Sequence, residues 1–188
     1  MWLRELDAAV FHLINRGCAN GALDFVMPLI TAMGSFEFLV VAALVYLLSK
    51  RKERVLVGIL LLAALSLSWC VVGGLKHFFA RPRPFVQFHD VRLLTTASGF
   101  AFPSGHTTFA FMVATIMSSI SGRRAAVLLF ATASLVGLSR IYLGAHFPLD
   151  VAAGVVVGVL MGLFWIGVGR KFNRICQQAS PSGTIPSR

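Results

Sequence analysis

In a chain of 188 residues, 57% of the side chains are hydrophobic and only 13% are charged, with a mean hydropathy of +0.80. This balance excludes an ordinary water-soluble domain and indicates a membrane protein. At about 20 residues per crossing, the length predicts one all-α integral membrane bundle of roughly six helices without a separate soluble domain.

The net charge of +10 raises the question of a nucleic-acid partner. The basic residues lack the stacking aromatic residues that a soluble nucleic-acid surface arrays beside them, so we predict no nucleic-acid partner and expect the chain to contact the bilayer. The cysteines Cys18, Cys70 and Cys176 are scattered. They predict neither a disulfide framework nor a zinc site.

The N-terminal segment, residues 1–16, mixes charged and apolar side chains and has no cleavage site for a signal peptidase. This pattern predicts an amphipathic helix at the membrane surface. The apolar stretches 22–33 and 36–49 follow, joined by Gly34-Ser35. A helix either breaks or only kinks at such a pair, so the two stretches form one crossing or two elements.

Four further apolar stretches predict crossings at residues 55–75, 107–120, 125–138 and 149–168. Residues 121–124 form a polar turn between the second and third of these. We therefore expect residues 1–176 to form a single membrane-embedded domain. The tail 177–188 is rich in Ser, Pro and Gly and is predicted to be disordered.

Lysine and arginine cluster at three helix ends that alternating crossings place on one side of the membrane. These residues are Lys50, Arg51, Lys52, Arg54, Arg123, Arg124, Arg170, Lys171 and Arg174. The positive-inside rule makes that side cytoplasmic. We therefore predict a multi-pass protein of the cell (inner) membrane, with the segments 76–106 and 140–148 on the non-cytoplasmic side.

The non-cytoplasmic side also holds five basic residues that orientation does not explain, namely Lys76, Arg81, Arg83, Arg92 and Arg140. Contact with lipid headgroups is one interpretation, and an anionic ligand held between helix ends is the other. Guanidinium groups match phosphate oxygens especially well, which favours phosphate as the ligand. Ser104 and Gly105 stand where a helix begins, so their backbone N–H groups add a second element of a phosphate site.

His146 and Asp150 are four residues apart, and Pro148 suits the first position of a helix. The carboxylate then lies in the first turn, next to the imidazole. A carboxylate at one ring nitrogen fixes the tautomer and leaves the other nitrogen free to attack phosphorus. His106 arrives from a different helix and is placed to protonate the leaving group.

These segments resemble the three signature motifs of the type 2 phosphatidic acid phosphatase (PAP2) superfamily. Lys76 to Pro84 fits the pattern Lys, six residues, Arg-Pro; Pro103 to His106 fits Pro-Ser-Gly-His; Ser139 to Asp150 fits Ser-Arg, five residues, His, three residues, Asp. The resemblance implies a helical core of the kind that vanadium haloperoxidases also have. Those enzymes are soluble, and the high hydropathy of this chain argues against membership of that branch.

The resemblance also implies a phosphatase that needs neither metal nor cofactor, with a phosphohistidine at His146 and His106 as general acid. We therefore predict two groups of site residues. The catalytic group is His146, His106 and Asp150, and the phosphate-binding group is Lys76, Arg83, Ser104, Gly105 and Arg140.

Short members of this superfamily act on lipid phosphates, and a non-cytoplasmic site favours undecaprenyl diphosphate. Phosphatidylglycerophosphate or phosphatidate is the alternative substrate. A non-catalytic transporter of anionic lipids is a remote alternative, since transport requires no nucleophile with an orienting carboxylate. We expect the loop 85–102 to shape headgroup choice, and Arg81 and Tyr142 either to contact a second phosphate or to anchor the protein at the membrane interface.

Overall fold

The computed structural model describes the backbone of residues 2–179 and the side chains of residues 2–171. This part of the chain is helical and contains no strand, which confirms the predicted all-α bundle. The helices are α1 (Trp2–His12), a π-helical turn (Leu13–Gly17), α2 (Gly21–Ala32), α3 (Phe36–Leu47), α4 (Lys52–Phe79), α5 (Pro84–Gln87), α6 (Gly105–Ser118), α7 (Arg123–Tyr142) and α8 (Pro148–Ala179). Helix α8 includes residues 177–179, and residues 180–188 of the tail predicted to be disordered lie outside the described residues.

Among the described residues, three segments are long and apolar enough to cross a membrane, namely Lys52–Gln87, Arg123–Tyr142 and Pro148–Lys171. Helices α2 and α3 pass the same test together, with a bend of 50° between them. Helix α6 has only 14 residues, but most of them are buried in the centre of the bundle. Large apolar side chains are exposed along the outer helices, as expected for a surface that faces lipid.

Helices α2 and α3 together run from one end of the bundle to the other. Asn20, just before α2, contacts the hydroxyl of Tyr142 at the end of α7, whereas α3 packs on the first half of α4 at Gly58. The break is set by Ser35, whose side chain caps α3 by accepting a hydrogen bond from the N–H of Phe38 at 3.1 Å. This packing supports a single bent crossing.

The central pair of helices is α6 and α8, which pack closely along a row of glycines. A Cβ at Gly154 would lie 2.8 Å from the carbonyl oxygen of Ser104, one at Gly158 would overlap the carbonyl oxygen of Thr108, and Gly162 faces the side chain of Thr115. Small residues four apart let membrane helices approach closely. This approach fixes the beginning of α6 beside the beginning of α8.

Helix α1 is amphipathic, as predicted. Asp7 and Phe11 lie one helical turn apart and are buried against the bundle, while Trp2, Leu3 and Leu6 are more than half exposed. A buried carboxylate on the apolar face of such a helix is unusual, because an unpaired charge there is costly. Its partners are described below.

Candidate active site

His146 lies in the short connection between α7 and α8, with its side chain 2% exposed. Helix α8 begins at Pro148, which places Asp150 in the first turn. Oδ2 of Asp150 accepts a hydrogen bond from the N–H of Phe147 at 2.8 Å and lies 3.7 Å from Nδ1 of His146. The predicted pair is therefore adjacent, although the separation is too long for a hydrogen bond.

The imidazole of His146 is held in its neutral form. Burial lowers the pKa of His146 well below its ordinary value, and the positive charges of Arg140, Arg83 and Lys76 lower it further. Nε2 of His146 lies 3.4 Å from Nη1 of Arg83. Because a guanidinium donates and never accepts, we assign the lone pair to Nε2 and the proton to Nδ1, on the side of Asp150. A neutral imidazole of this tautomer is competent as a nucleophile.

Lys76 and Arg83 are oriented by backbone carbonyls, three of them in the loop before α6 and one, that of Ala145, in the connection before α8. Nζ of Lys76 donates to the carbonyl of Phe100 at 2.6 Å. Arg83 donates to three carbonyl groups, those of Ser98, Gly99 and Ala145, at 2.7, 3.0 and 3.0 Å. The loop 85–102 therefore fixes the direction of both cations, in addition to any effect on headgroup choice.

The beginning of α6 is tied directly to α8, because the N–H of Ser104 donates to the carbonyl of Asp150 at 3.0 Å. Ser104 is the N-cap of α6, yet its side chain forms no capping hydrogen bond. Instead, its Oγ accepts from Oγ1 of Thr107 at 2.9 Å. Across the described residues, the N–H groups of the first turn, from Gly105 onward, thus have neither a helical partner nor a cap, and the positive end of the helix dipole lies there.

His106 is the second residue of α6, so this end of the bundle also receives the second predicted histidine. The imidazole of His106 lies within electrostatic range of His146 and of three cations, namely Arg140, Lys76 and Arg83. The backbone carbonyl of His106 packs beside Gly34, at the break between α2 and α3. Both histidines therefore lie at the same end of the molecule.

Arg140 lies in the last turn of α7 and is 4% exposed. Its Nη1 donates to Oγ1 of Thr31 at 3.0 Å, and its carbonyl accepts from the N–H of His146 at 3.2 Å. Within the described part of the chain, Nε of Arg140 is buried without a partner. A buried guanidinium N–H without an acceptor is costly, and a phosphate oxygen is the acceptor that would satisfy it best.

Three further polar residues near the site are already bound to carboxylates, namely Arg81, Arg92 and Tyr142. Arg81 is engaged by two carboxylates, those of Asp150 and Asp7, and Arg92 pairs with Asp24 at 2.8 Å. Tyr142 is 1% exposed, and its hydroxyl donates to Asp24 at 2.6 Å. The suggested contact with a second phosphate is therefore wrong for Arg81 and Tyr142, and burial excludes Tyr142 as an interface anchor.

Two residues at the site escaped the sequence analysis. Thr31 reaches Arg140 from α2, and Asp7 reaches Arg81 from α1. Motif spacing carries no signal for either residue, because each belongs to a helix far away in the sequence. The available signal for Asp7 was its position one turn before Phe11, on the apolar face of a short amphipathic helix.

A family model of the PAP2 superfamily matches residues 56–174, which is more than half of the chain. The fold and the match together define the class: this is a membrane-embedded, all-helical lipid phosphatase. The chain belongs to the PAP2 superfamily.

Individual relatives agree with this assignment. Phosphatidylglycerophosphatase B of Bacillus subtilis is 29% identical over 187 residues, covering 94% of this chain and 80% of the relative. Undecaprenyl-diphosphatase BcrC of Bacillus subtilis is 30% identical over 149 residues, covering 78% and 75%. The crystal structure of Aquifex aeolicus LpxE superposes with a TM-score of 0.77 at 35% identity, covering 86% of this chain and 95% of that chain.

Proposed function

We propose that this chain hydrolyses undecaprenyl diphosphate to undecaprenyl phosphate through a phosphohistidine at His146. The observation that carries the proposal is a buried neutral imidazole whose Nε2 lies beside the Arg83 guanidinium, among three cations. The similarity to an undecaprenyl-diphosphatase supports the choice of substrate. In this scheme no metal takes part, since the nucleophile and the charge stabilisation both come from side chains.

The first step forms a bond between Nε2 of His146 and the terminal phosphorus and breaks the bond between that phosphorus and the bridging oxygen. The bridging oxygen leaves with the lipid phosphate and takes a proton from His106, whose protonated form is stabilised by the negative charge of the bound diphosphate. The imidazole becomes positively charged, and Asp150 stabilises that charge through the Nδ1 proton. The lipid phosphate is then released.

The second step hydrolyses the phosphohistidine. A water oxygen attacks phosphorus, the N–P bond breaks, and the electron pair returns to Nε2 of His146. His106, now neutral, accepts a proton from this water and regains the form needed for the next turnover. Lys76, Arg83, Arg140 and the N–H group of Gly105 stabilise negative charge on the equatorial oxygens throughout, the main demand of phosphoryl transfer. The N–H of Ser104, which the sequence also suggested as a donor, is occupied by the carbonyl of Asp150.

The site faces the non-cytoplasmic side of the cell membrane in this proposal. The basic residues at the opposite end of the bundle support this orientation. There the beginning of α4, the end of α6 and residues 165–170 of α8 line a common groove. Lys52, Arg54, Arg123, Arg124 and Arg170 belong to or adjoin these segments, and such residues concentrate on the cytoplasmic side.

Phosphatidylglycerophosphate is the second candidate substrate, with phosphatidate as a close variant. The similarity to phosphatidylglycerophosphatase B over 94% of the chain favours it. The chemistry at His146 is the same for these lipids, except that the leaving oxygen is then an alcohol oxygen. The choice between substrates therefore depends on headgroup contacts outside the phosphate-binding residues.

A phosphate-release panel tests the proposal. The purified protein in nanodiscs with EDTA is given undecaprenyl diphosphate, phosphatidylglycerophosphate or phosphatidate. We expect release from all three and a kcat/KM for undecaprenyl diphosphate about tenfold or more above the others, the size of a single good headgroup contact. A higher kcat/KM for phosphatidylglycerophosphate would reverse the substrate order, and activity that requires added magnesium would contradict the metal-free mechanism.

Replacing Thr31 with valine tests the orientation of Arg140. The change is close to isosteric and removes the only side-chain hydrogen bond that the structure gives this guanidinium within the described residues. We expect kcat/KM to fall by about tenfold, the usual effect of losing one hydrogen bond to a charged group. Thr115→Val is the matched control, because Thr115 is equally buried but bonds to the carbonyl of Phe111 on α6. Equal activities for the two variants would remove Thr31 from this role.

A further inference from the structure

The N-terminal helix reaches the candidate nucleophile through a bridge of three charged side chains. Arg81 donates from Nη1 to Oδ1 of Asp150 at 2.7 Å and from Nη2 to Oδ2 of Asp7 at 2.5 Å. The side chains of Asp7 and Asp150 are 1% and 0% exposed, respectively. A buried carboxylate needs a compensating charge, and here one guanidinium serves two carboxylates.

Asp7 also completes the cap of α8. Phe147 is the residue before Pro148, so it occupies the N-cap position and has no side chain that can accept a hydrogen bond. Asp150 accepts the N–H of Phe147, as the third helical residue does in a capping box. The N–H of Leu149 is satisfied from another helix, by Oδ1 of Asp7 at 2.8 Å.

A third contact joins α1 to the same connection. The ring of Phe147 packs against the ring of Phe11, with centroids 5.3 Å apart. The guanidinium of Arg81 lies over the same ring, 4.4 Å from its centre, a distance typical of a cation–π contact. Phe147 directly follows His146, so α1 and Arg81 together fix the backbone that carries the imidazole.

We infer that Asp7 and Arg81 are positioning residues that hold Asp150 and the His146 connection in the geometry for attack. The inference rests on the proposed function of the site and adds two residues to it. Asp7 lies outside the matched residues 56–174, and Arg81 is one of the six unspecified residues between Lys76 and Arg83 in the first motif. Asp7 draws Arg81 toward α1 while Arg81 holds Oδ1 of Asp150, which leaves Oδ2 to face Nδ1 of His146.

Asp7→Asn tests the inference against Glu5→Gln as its matched control. Both substitutions convert one carboxylate of α1 to an amide, but Glu5 is exposed. Displacement of a nucleophile by a fraction of an ångström has large effects, so we expect kcat of D7N to fall by roughly 10- to 100-fold, with E5Q within about twofold of the wild type. Asp7→Glu, which keeps the carboxylate, is expected to recover part of the loss.

The inhibition constant for vanadate separates positioning from partial unfolding, because this constant does not depend on the fraction of protein that is folded. Vanadate mimics the five-coordinate state at Nε2 of His146. We expect its inhibition constant to rise by about tenfold or more in D7N and in Arg81→Met, by less in Arg81→Lys, and to stay unchanged in E5Q.

Vanadate inhibition of D7N equal to that of E5Q would overturn the inference, and so would equal turnover by D7E and D7N. Failure of the proposed function has a different signature. In that case the wild-type protein releases no phosphate from any lipid of the panel, whereas failure of the inference leaves wild-type and D7N proteins equally active.

Discussion

Replacing His146 with alanine is expected to abolish turnover, with a loss of about 10⁴-fold or more in kcat. The side chain is buried, and its neutral Nε2 lies beside Arg83 in the cluster of cations. Without this nitrogen, the proposed covalent intermediate cannot form. The measurement is phosphate release from the preferred lipid under saturating conditions, at equal concentrations of folded protein.

The phosphohistidine itself gives a second measurement on the same variant. Wild-type protein mixed with substrate and quenched in alkali should retain a phosphoryl group on the peptide that contains residue 146, and H146A should retain none. His89→Ala is the control, since His89 is an exposed histidine in the loop before α6. Whatever its effect on turnover, H89A should still retain the phosphoryl group on the peptide that contains residue 146. A labelled peptide from H146A would place the nucleophile elsewhere.

The adjacency of His146 and Asp150 could be predicted because it depends only on local geometry. A helix that begins at Pro148 places the third helical residue next to the connection before it, whatever surrounds them. Sequence also predicted which connections share an end of the bundle, because apolar runs of crossing length alternate in direction. The structure agrees for the segments that contain Lys76, Ser104 and Arg140, which all lie near His146.

Contacts between distant helices could not be predicted in the same way. Asp7 and Arg81 are 74 residues apart, and Thr31 and Arg140 are 109 apart. Their meeting depends on how α1 and α2 pack on the bundle, which no periodicity in the chain encodes. Arg81 is the instructive case. Its basic side chain suggested either a phosphate contact or an anchor at the membrane interface, yet the buried carboxylates of Asp7 and Asp150 engage it instead.

The break at Gly34-Ser35 could be predicted from the sequence only in part. A serine that caps a new helix predicts an interruption, but the direction of the next helix depends on packing. The structure bends the crossing by 50° and places Gly34 against Val136 and the carbonyl of His106. A Cβ at this position would overlap the side chain of Val136 and lie 3.2 Å from the carbonyl oxygen of His106, so a larger residue would push these two segments apart. The interruption therefore serves the site as well as the crossing.

Replacing His106 with alanine is expected to lower kcat/KM by about 10² to 10⁴-fold, the range for loss of a general acid. The loss should depend on the leaving group. A phosphatidate substrate expels an alcohol oxygen, which needs a proton, whereas a diphosphate expels a phosphate oxygen, which needs one far less. Because kcat/KM reports the steps up to release of the leaving group, we expect a loss at least tenfold greater for phosphatidate than for the diphosphate.

The second step supplies an independent check on His106, since the same side chain is proposed to activate the water. In H106A the diphosphate should still phosphorylate His146, and the phosphohistidine should then accumulate because its hydrolysis is slow. His77→Ala is the control, as His77 is exposed on α4 and its ring packs edge to face on Phe100 in the loop that binds Lys76. Equal losses for both leaving groups, without accumulation of phosphohistidine, would show that His106 only shapes the site. A phosphohistidine that persists longer in H106A than in the wild type would assign both proton transfers to one imidazole at the beginning of α6.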